Sequence, residues 1–448
     1  MFTTSRPSPR SPRACNCEGD RHPHMSNTTD ATQASSPSQE FTAYQKLVVA
    51  LLAFLQFTII IDFQLLSPLG AILMPALKIS SQQFGLVVSA YAFSAAATGF
   101  LAAGIADSFD RKKLLLFFYF GFVLGTLFCG LAPTYELLVA ARIMTGCFGG
   151  VIGSIVMAIS TDLFPMRMRG RVMGVIQTAF ASSQIMGIPV GLWFANHWGW
   201  HAPFIMLVIV STAVAGIIIV YLKPVDAHLK SGTAKTPREA FRHLFATIKK
   251  PRYLQAYATT CLLATGGFML MPFGSAFSVR NLKIELTQIP LVYMLTGVCS
   301  IITGPIIGRL SDRFGKLRTF YVGSSIAMVV VTFYTHMGPS SIAKLVAVNA
   351  VMFIGIQARM IASQALISGI PDPTSRGSFM SINACTAQLA GGVASALAGM
   401  IVIAPADETL PLRNFDLLGF TVVGATAITL GLMWNVNRLV MEGKKAAV

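Results

Sequence analysis

Long apolar runs alternate with short polar breaks along most of this chain. A helix rises about 1.5 Å per residue, so about 20 apolar residues cross the roughly 30 Å of bilayer hydrocarbon. Runs of that size lie near 47–70, 83–106, 114–132, 137–162, 172–194 and 202–222. Six more lie near 253–279, 288–308, 319–338, 342–368, 377–404 and 414–437. The pattern predicts an all-α membrane protein with twelve transmembrane helices. Residues 1–44 lack apolar periodicity and are rich in Ser, Thr, Pro and Arg, which predicts a disordered tail. The polar run after Met25 has the character of an ordinary tail, so residues 1–24 are expected to stem from an upstream start codon. Residues 223–251 form a basic linker between the two sets of six runs, and 439–448 a short second tail.

The polar breaks carry a charge bias that sets orientation. With a cytoplasmic N-terminus, the cytoplasmic breaks hold Arg111, Lys112, Lys113, Arg167, Arg169, Arg171, the basic linker, Arg313, Lys316, Arg318 and Arg376. The opposite breaks hold mainly Lys78, Glu136, Arg280, Lys283, Glu285, Lys344 and Asp407-Glu408. Basic loops stay on the cytoplasmic side, so both termini are expected there. The bias accounts for the net charge of +16 without a nucleic-acid partner. No segment interleaves basic residues with exposed aromatics as a strand-binding groove does. Charged residues make up 12% of the chain and hydrophobic ones 54%, against about 25% charged in soluble domains, so lipid is the expected solvent. The seven cysteines are scattered, and Cys15-Asn16-Cys17 has no second ligand pair at zinc spacing. Free thiols and no metal site are expected.

The two halves repeat. Residues 103–112 read Ala-Gly-Ile-Ala-Asp-Ser-Phe-Asp-Arg-Lys, and 308–317 read Gly-Arg-Leu-Ser-Asp-Arg-Phe-Gly-Lys-Leu, an offset of 308 − 103 = 205. Arg169-Gly170 and Arg376-Gly377 give 376 − 169 = 207. Two six-helix bundles in one orientation, 45–222 and 252–438, are the expected domains.

These segments resemble the loop between helices 2 and 3 of the major facilitator superfamily, Gly-x-Leu-Ala-Asp-Arg-x-Gly-Arg-Arg/Lys. The second copy matches at Gly308, Leu310, Asp312, Arg313, Gly315 and Lys316. The first keeps Asp107, Arg111 and Lys112 but has Ala103, Ser108 and Asp110 at family Gly, Arg and Gly positions. A tight reversal favours Gly, Asn or Asp at a positive-φ position, which Asp110 would fill. The resemblance implies that Asp107 meets the start of helix 11 near Arg376-Gly377 in one conformation, gating the two halves. A static cytoplasmic ion pair is the alternative. Helix 4 carries Arg142-Ile-Met-Thr-Gly146, similar to the family's Arg-x-x-x-Gly. Helix 5 carries Gly187-Ile-Pro189-Val-Gly191, similar to the pattern of drug/proton antiporters of the sugar-efflux permease type. Close packing explains the same small residues equally well. The resemblance further implies two bundles around a central cavity lined by helices 1, 4, 7 and 10.

Of the 18 acidic residues, only Asp62 falls well inside a run, in Thr-Ile-Ile-Ile-Asp62-Phe-Gln. A charge there needs a cavity or a cation, and points to a proton-coupling or substrate site, with a structural ion pair as the alternative. Arg142 and Arg359 are its candidate partners, and Arg359 has no counterpart at the repeat-related position. Gln177 with Gln184 and Gln357 with Gln364 share helix faces, and Asn383 and Gln388 add polarity to helix 11. They are candidates for substrate contact or for interhelical hydrogen bonds.

No metalloprotease, phosphate-loop or nucleophile-elbow motif is present, so no enzyme and no ATP-driven pump is expected. A proton gradient is the expected energy source, and no cofactor is expected. The leading expectation is proton-coupled efflux of small organic or amphipathic compounds by alternating access, from a monomer in a bacterial cytoplasmic membrane. A facilitator or proton symporter of a polar or anionic solute is the alternative. A non-transporting sensor is a third reading, disfavoured by the short tail and plain linker.

Overall fold

The computed structural model describes residues 41–105, 109–226, 237–372, 375–405, 407 and 409–445. Among the described residues, twelve helices are long and apolar enough to cross a membrane. In the first half they are α1 Ala43–Leu65, α2 Ser81–Ala102, α3 Arg111–Leu131, α4 Tyr135–Leu163, α5 Met168–Trp198 and α6 Ala202–Tyr221. In the second half they are α7 Pro251–Arg280, α8 Leu286–Phe314, α9 Lys316–Thr335, α10 Ile342–Ile367, α11 Arg376–Ile401 and α12 Phe415–Glu442. Of the expected tail 1–44, residues 1–40 lie outside the described residues, as do the linker stretch 227–236 and the loop residue Asp107, and α1 takes in Ala43 and Tyr44.

Prolines and glycines decide where the apolar runs break. The first run was expected to reach residue 70. The helix instead stops at Leu65, and a short helix Gly70–Leu77 follows Pro68, whose ring removes a backbone donor. The second half does the same: α7 is interrupted by a turn at Met271–Phe273 around Pro272 and resumes as Gly274–Arg280. The two prolines are offset by 272 − 68 = 204, in step with the sequence repeat. The two extensions pack on each other.

The helix pairings repeat as well. In the first half α1 packs on α5 and α6, α4 on α2 and α3, and α3 on α6. In the second, α7 packs on α11 and α12, α10 on α8 and α9, and α9 on α12. Adding six to each number maps one set onto the other. The halves meet through α2 with α11 and α5 with α8, which the same operation exchanges. The α2–α11 contact runs from Gly399 against Ser81 to Gly99 against Cys385, with Ser89 Oγ donating to the Gly392 carbonyl at 2.7 Å in between. The α5–α8 contact includes Gly297 of α8 against the backbone of Gln184 and Ile185.

One end of the molecule is sealed. Leu65, Leu66, Leu69 and Leu73 of the first half join Phe273, Phe277, Val292 and Ala398 of the second in one buried apolar cluster. Phe84 and Phe273 meet edge to face at 5.8 Å, and Ser275 Oγ donates to the Ser67 carbonyl at 3.4 Å. The basic loops lie at the other end. There the linker is not plain: Pro237–Ile248 forms a helix with Pro at its start and Glu239 in its first turn. It touches both α2 and α11. Phe245 packs on Phe100, and His243 Nδ1 lies 3.0 Å from Ser378 Oγ. The linker's far end is tied by Asp372, which accepts from Lys250 Nζ and Tyr253 Oη. These bonds hold the Asp372 carboxyl below the usual carboxylate range.

Close backbone contact makes the α2–α11 seam intolerant of bulk. A Cβ at Gly85 would sit 2.7 Å from the Ser395 carbonyl oxygen, whereas nothing lies within 4 Å at Gly304. Gly85→Val is expected to cost about 1–3 kcal/mol, read as a lowered thermal midpoint in detergent. Gly304→Ala should leave the midpoint unchanged or raised.

Candidate functional site

α1 carries one acid, Asp62, and three neighbouring helices answer it. Arg142 of α4 donates from Nη1 to Asp62 Oδ2 at 2.8 Å. Thr126 of α3 donates to Asp62 Oδ1 at 3.3 Å. Tyr91 of α2 lies under the guanidinium, its ring centre 4.7 Å from Arg142 Cζ. Asp62 is 0% exposed and Arg142 1%, so the pair is cut off from solvent in this state. In apolar surroundings a lone charge of either sign is costly, and each neutralises the other. The tyrosine face adds cation–π attraction on a second side of the arginine.

The local sequence builds this closeness. One turn after Arg142 stands Gly146, where a Cβ would collide with the backbone of Tyr91 and the hydroxyl of Ser94. At Gly150 a Cβ would sit 2.6 Å from Ala95 Cα. Bare backbone at both positions lets α2 press against α4 and slide Tyr91 beneath Arg142. On the other flank α5 presses on α1. Cβ atoms at Gly187 and Gly191 would lie 2.5 Å from Ile61 and 2.6 Å from Leu65. Between them stands buried Pro189. Its missing N–H is absorbed by a π turn at Ser183–Gly187, where the Ile188 N–H reaches the Ser183 carbonyl. Ser183 Oγ points to Gln64 Oε1 at 3.4 Å, fixing the bulge to α1. The helix 5 motif is thus a seat for the segment of α1 that carries Asp62.

The other predicted residues are distributed differently. Arg359 of α10 does not approach Asp62. It lies in the second half, 4% exposed, with Nη1 donating to Thr426 Oγ1 of α12 at 3.2 Å. Gln177 and Gln364 are exposed, and Gln184, Gln357 and Gln388 half-buried. Asn383 Oδ1 accepts from Thr260 Oγ1 at 2.7 Å, joining α11 to α7. The glutamines do not converge with Asp62. Thr126 and Tyr91 were missed, since one sequence does not say which faces of α2 and α3 turn toward α1.

The two loop copies behave differently. Asp110 was expected at a positive-φ turn. Its φ is −57°, and its carboxylate instead caps α3, accepting from the Lys112 and Lys113 N–H groups at 2.7 and 3.2 Å. Those orphan amides needed an acceptor, and the capping role won over the turn role. Gly315 does adopt φ +94°. Arg111 Nε lies 3.4 Å from Asp162 at the end of α4, and Lys112 Nζ donates to the Ile219 carbonyl at 2.9 Å. In the second copy Asp312, Arg313 and Lys316 are exposed, and Gly308 has open space beside it.

Comparisons with known proteins bear on the family and the fold. The family described as Major Facilitator Superfamily matches residues 52–396 and 256–438. The uncharacterized MFS-type transporter YceJ of Bacillus subtilis (strain 168) is 28% identical over 60% of this chain and 67% of its own. A probable sugar efflux transporter of Mannheimia succiniciproducens is 23% identical over 77% of this chain and 82% of its own. Among solved structures, a bacterial homologue of the human lysosomal transporter Spinster, inward-facing and unoccupied, superposes with a TM-score of 0.71. It covers 90% of this chain and 99% of its own, at 16% identity, and so supports the fold.

Removing one member of the pair strands the other. Arg142→Met is expected to cost about 3–5 kcal/mol of stability, and adding Asp62→Leu should recover most of it. Thermal midpoints of the two single variants and the double variant in detergent measure this coupling.

Proposed function

This chain belongs to the major facilitator superfamily, and we propose that it is a secondary active exporter that exchanges protons for small organic compounds. It is a membrane transporter and no enzyme. The observation that carries the exchange reading is the sealed Asp62–Arg142 pair. While the pair is closed, neither charge needs water. When the helices part, the carboxylate in apolar surroundings is held neutral by a proton, and the freed arginine faces the opening. One group thus alternates between a guanidinium and a proton as the bundle rocks.

Orientation follows from the basic loops. The basic end is cytoplasmic, with both termini, in a bacterial cytoplasmic membrane. The apolar cluster then seals the outer side, and Asp62, four residues short of the break at Leu66, lies just beneath it. Opening that seal brings outside protons to Asp62. Closing it reforms the ion pair and expels the proton inward. Export is favoured by the relative named as a sugar efflux transporter. The cytoplasmic loops with Asp107, Arg111, Lys112, Asp312, Arg313 and Lys316 would set the balance between the two states. One chain suffices, with the proton gradient as the sole energy source.

The test is proton release by the purified chain in detergent when lipophilic cations, neutral drugs, sugars and organic anions are added in turn. Release by one compound class, absent in Asp62→Asn, is expected. Release that persists unchanged in Asp62→Asn removes Asp62 from the coupling.

A further inference from the structure

The second half holds a buried cation, Arg359, that no acid among the described residues neutralises. Arg359 is 4% exposed, and its Nη1 is satisfied by Thr426 Oγ1. Its Nε and Nη2 are buried without a hydrogen-bond partner. Among the described residues no carboxylate pairs with it. Asp62, the acid deepest in the spans, is already taken by Arg142. A guanidinium keeps its charge at any physiological pH, so this site cannot become neutral by losing a proton. It needs an anion.

The free donors also say which anion. Nε–H and one Nη2–H lie side by side along one edge of the guanidinium plane, the edge that grips two oxygens of a carboxylate at once. The opposite terminal nitrogen is pinned by Thr426, which fixes the plane. Gly266 of α7 lies against the end of the guanidinium. A Cβ there would lie 3.4 Å from Nη1, Nη2 and Thr426 Oγ1 alike. Gly323 of α9 lies behind, where a Cβ would sit 3.0 Å from the Arg359 backbone nitrogen, so the base of the side chain is held.

We propose that Arg359, cradled by Gly266 and Thr426, binds the carboxylate of the transported compound, so that the cargo is a small organic acid carried as its anion. The inference rests on the transport reading above and adds the substrate class. The two halves then divide the work, with the proton held at Asp62 in the first and the substrate charge held at Arg359 in the second.

Binding tests this separately from coupling. The purified full chain in detergent is unfolded thermally with sodium benzoate or sodium hexanoate. The comparison solutes are benzamide and hexanamide, and sodium chloride at matched ionic strength. At least one carboxylate is expected to raise the midpoint, while its amide and chloride do not. Arg359→Met should abolish the shift, and its midpoint without anion should equal or exceed that of the parent, because an unmatched buried cation has gone. Should that variant not fold, Arg359→Lys decides: it keeps the charge, loses the fork, and should need about tenfold more carboxylate for the same shift. Asp62→Asn should keep the carboxylate shift while losing proton release, so failure of coupling leaves this inference standing. An equal response to amide or to chloride overturns it. So does an undiminished response in Arg359→Lys, or the absence of any shift with both carboxylates.

Discussion

Charge inside hydrocarbon has to be answered within the protein, and the ion pair between Asp62 and Arg142 is where this molecule answers it most completely. Much of the first half is arranged to close that distance. Glycines at 146 and 150 bring α2 against α4, placing the Tyr91 ring under the guanidinium. Glycines at 187 and 191 seat α5 on α1 beside the carboxylate, and the π turn before Pro189 absorbs the defect that the proline introduces. Thr126 completes the set from α3. Five helices thus gather around one electrostatic contact.

The second half uses the same helix pairings with different chemistry. Pro272 repeats the break at Pro68, and the two extensions that follow are part of the seal at one end. No acid–arginine pair occupies the position that corresponds to Asp62 and Arg142. The half carries Arg359 instead, with two nitrogens unmatched. Shared architecture with divergent polar content is what a duplicated scaffold allows, because packing fixes the pairings while single side chains set the chemistry.

The twelve spans were legible because hydrocarbon thickness imposes a length on every apolar run, and Asp62 was legible because it interrupts one. The choice between Arg142 and Arg359 as its partner was not. Spacing along α1, α4 and α10 does not fix how far each helix is rotated, and the rotation came from glycines whose neighbours the sequence does not name. Tyr91 and Thr126 escaped for the same reason. The shared faces of Gln177 with Gln184 and of Gln357 with Gln364 were real as spacing, yet periodicity could not say what those faces meet. Asp110 shows a different ambiguity: aspartate serves both tight turns and helix caps, and two orphan amides of α3 settled the matter. The linker helix Pro237–Ile248 was hidden by its charge, which reads as a solvated tether until Phe245 and Leu244 are seen to dock.

A lone positive charge at Arg359 also lies within the electric field of the membrane. Moving one elementary charge across the whole field changes the energy by about 2.3 kcal/mol per 100 mV. The empty carrier would feel that force whenever the second half shifts relative to the bilayer, and a carrier loaded with a monoanion would not. If Arg359 carries the cargo as proposed, voltage would act on the return stroke and leave the loaded stroke electrically silent at this site, and an inside-negative potential would draw the empty guanidinium toward the cytoplasm.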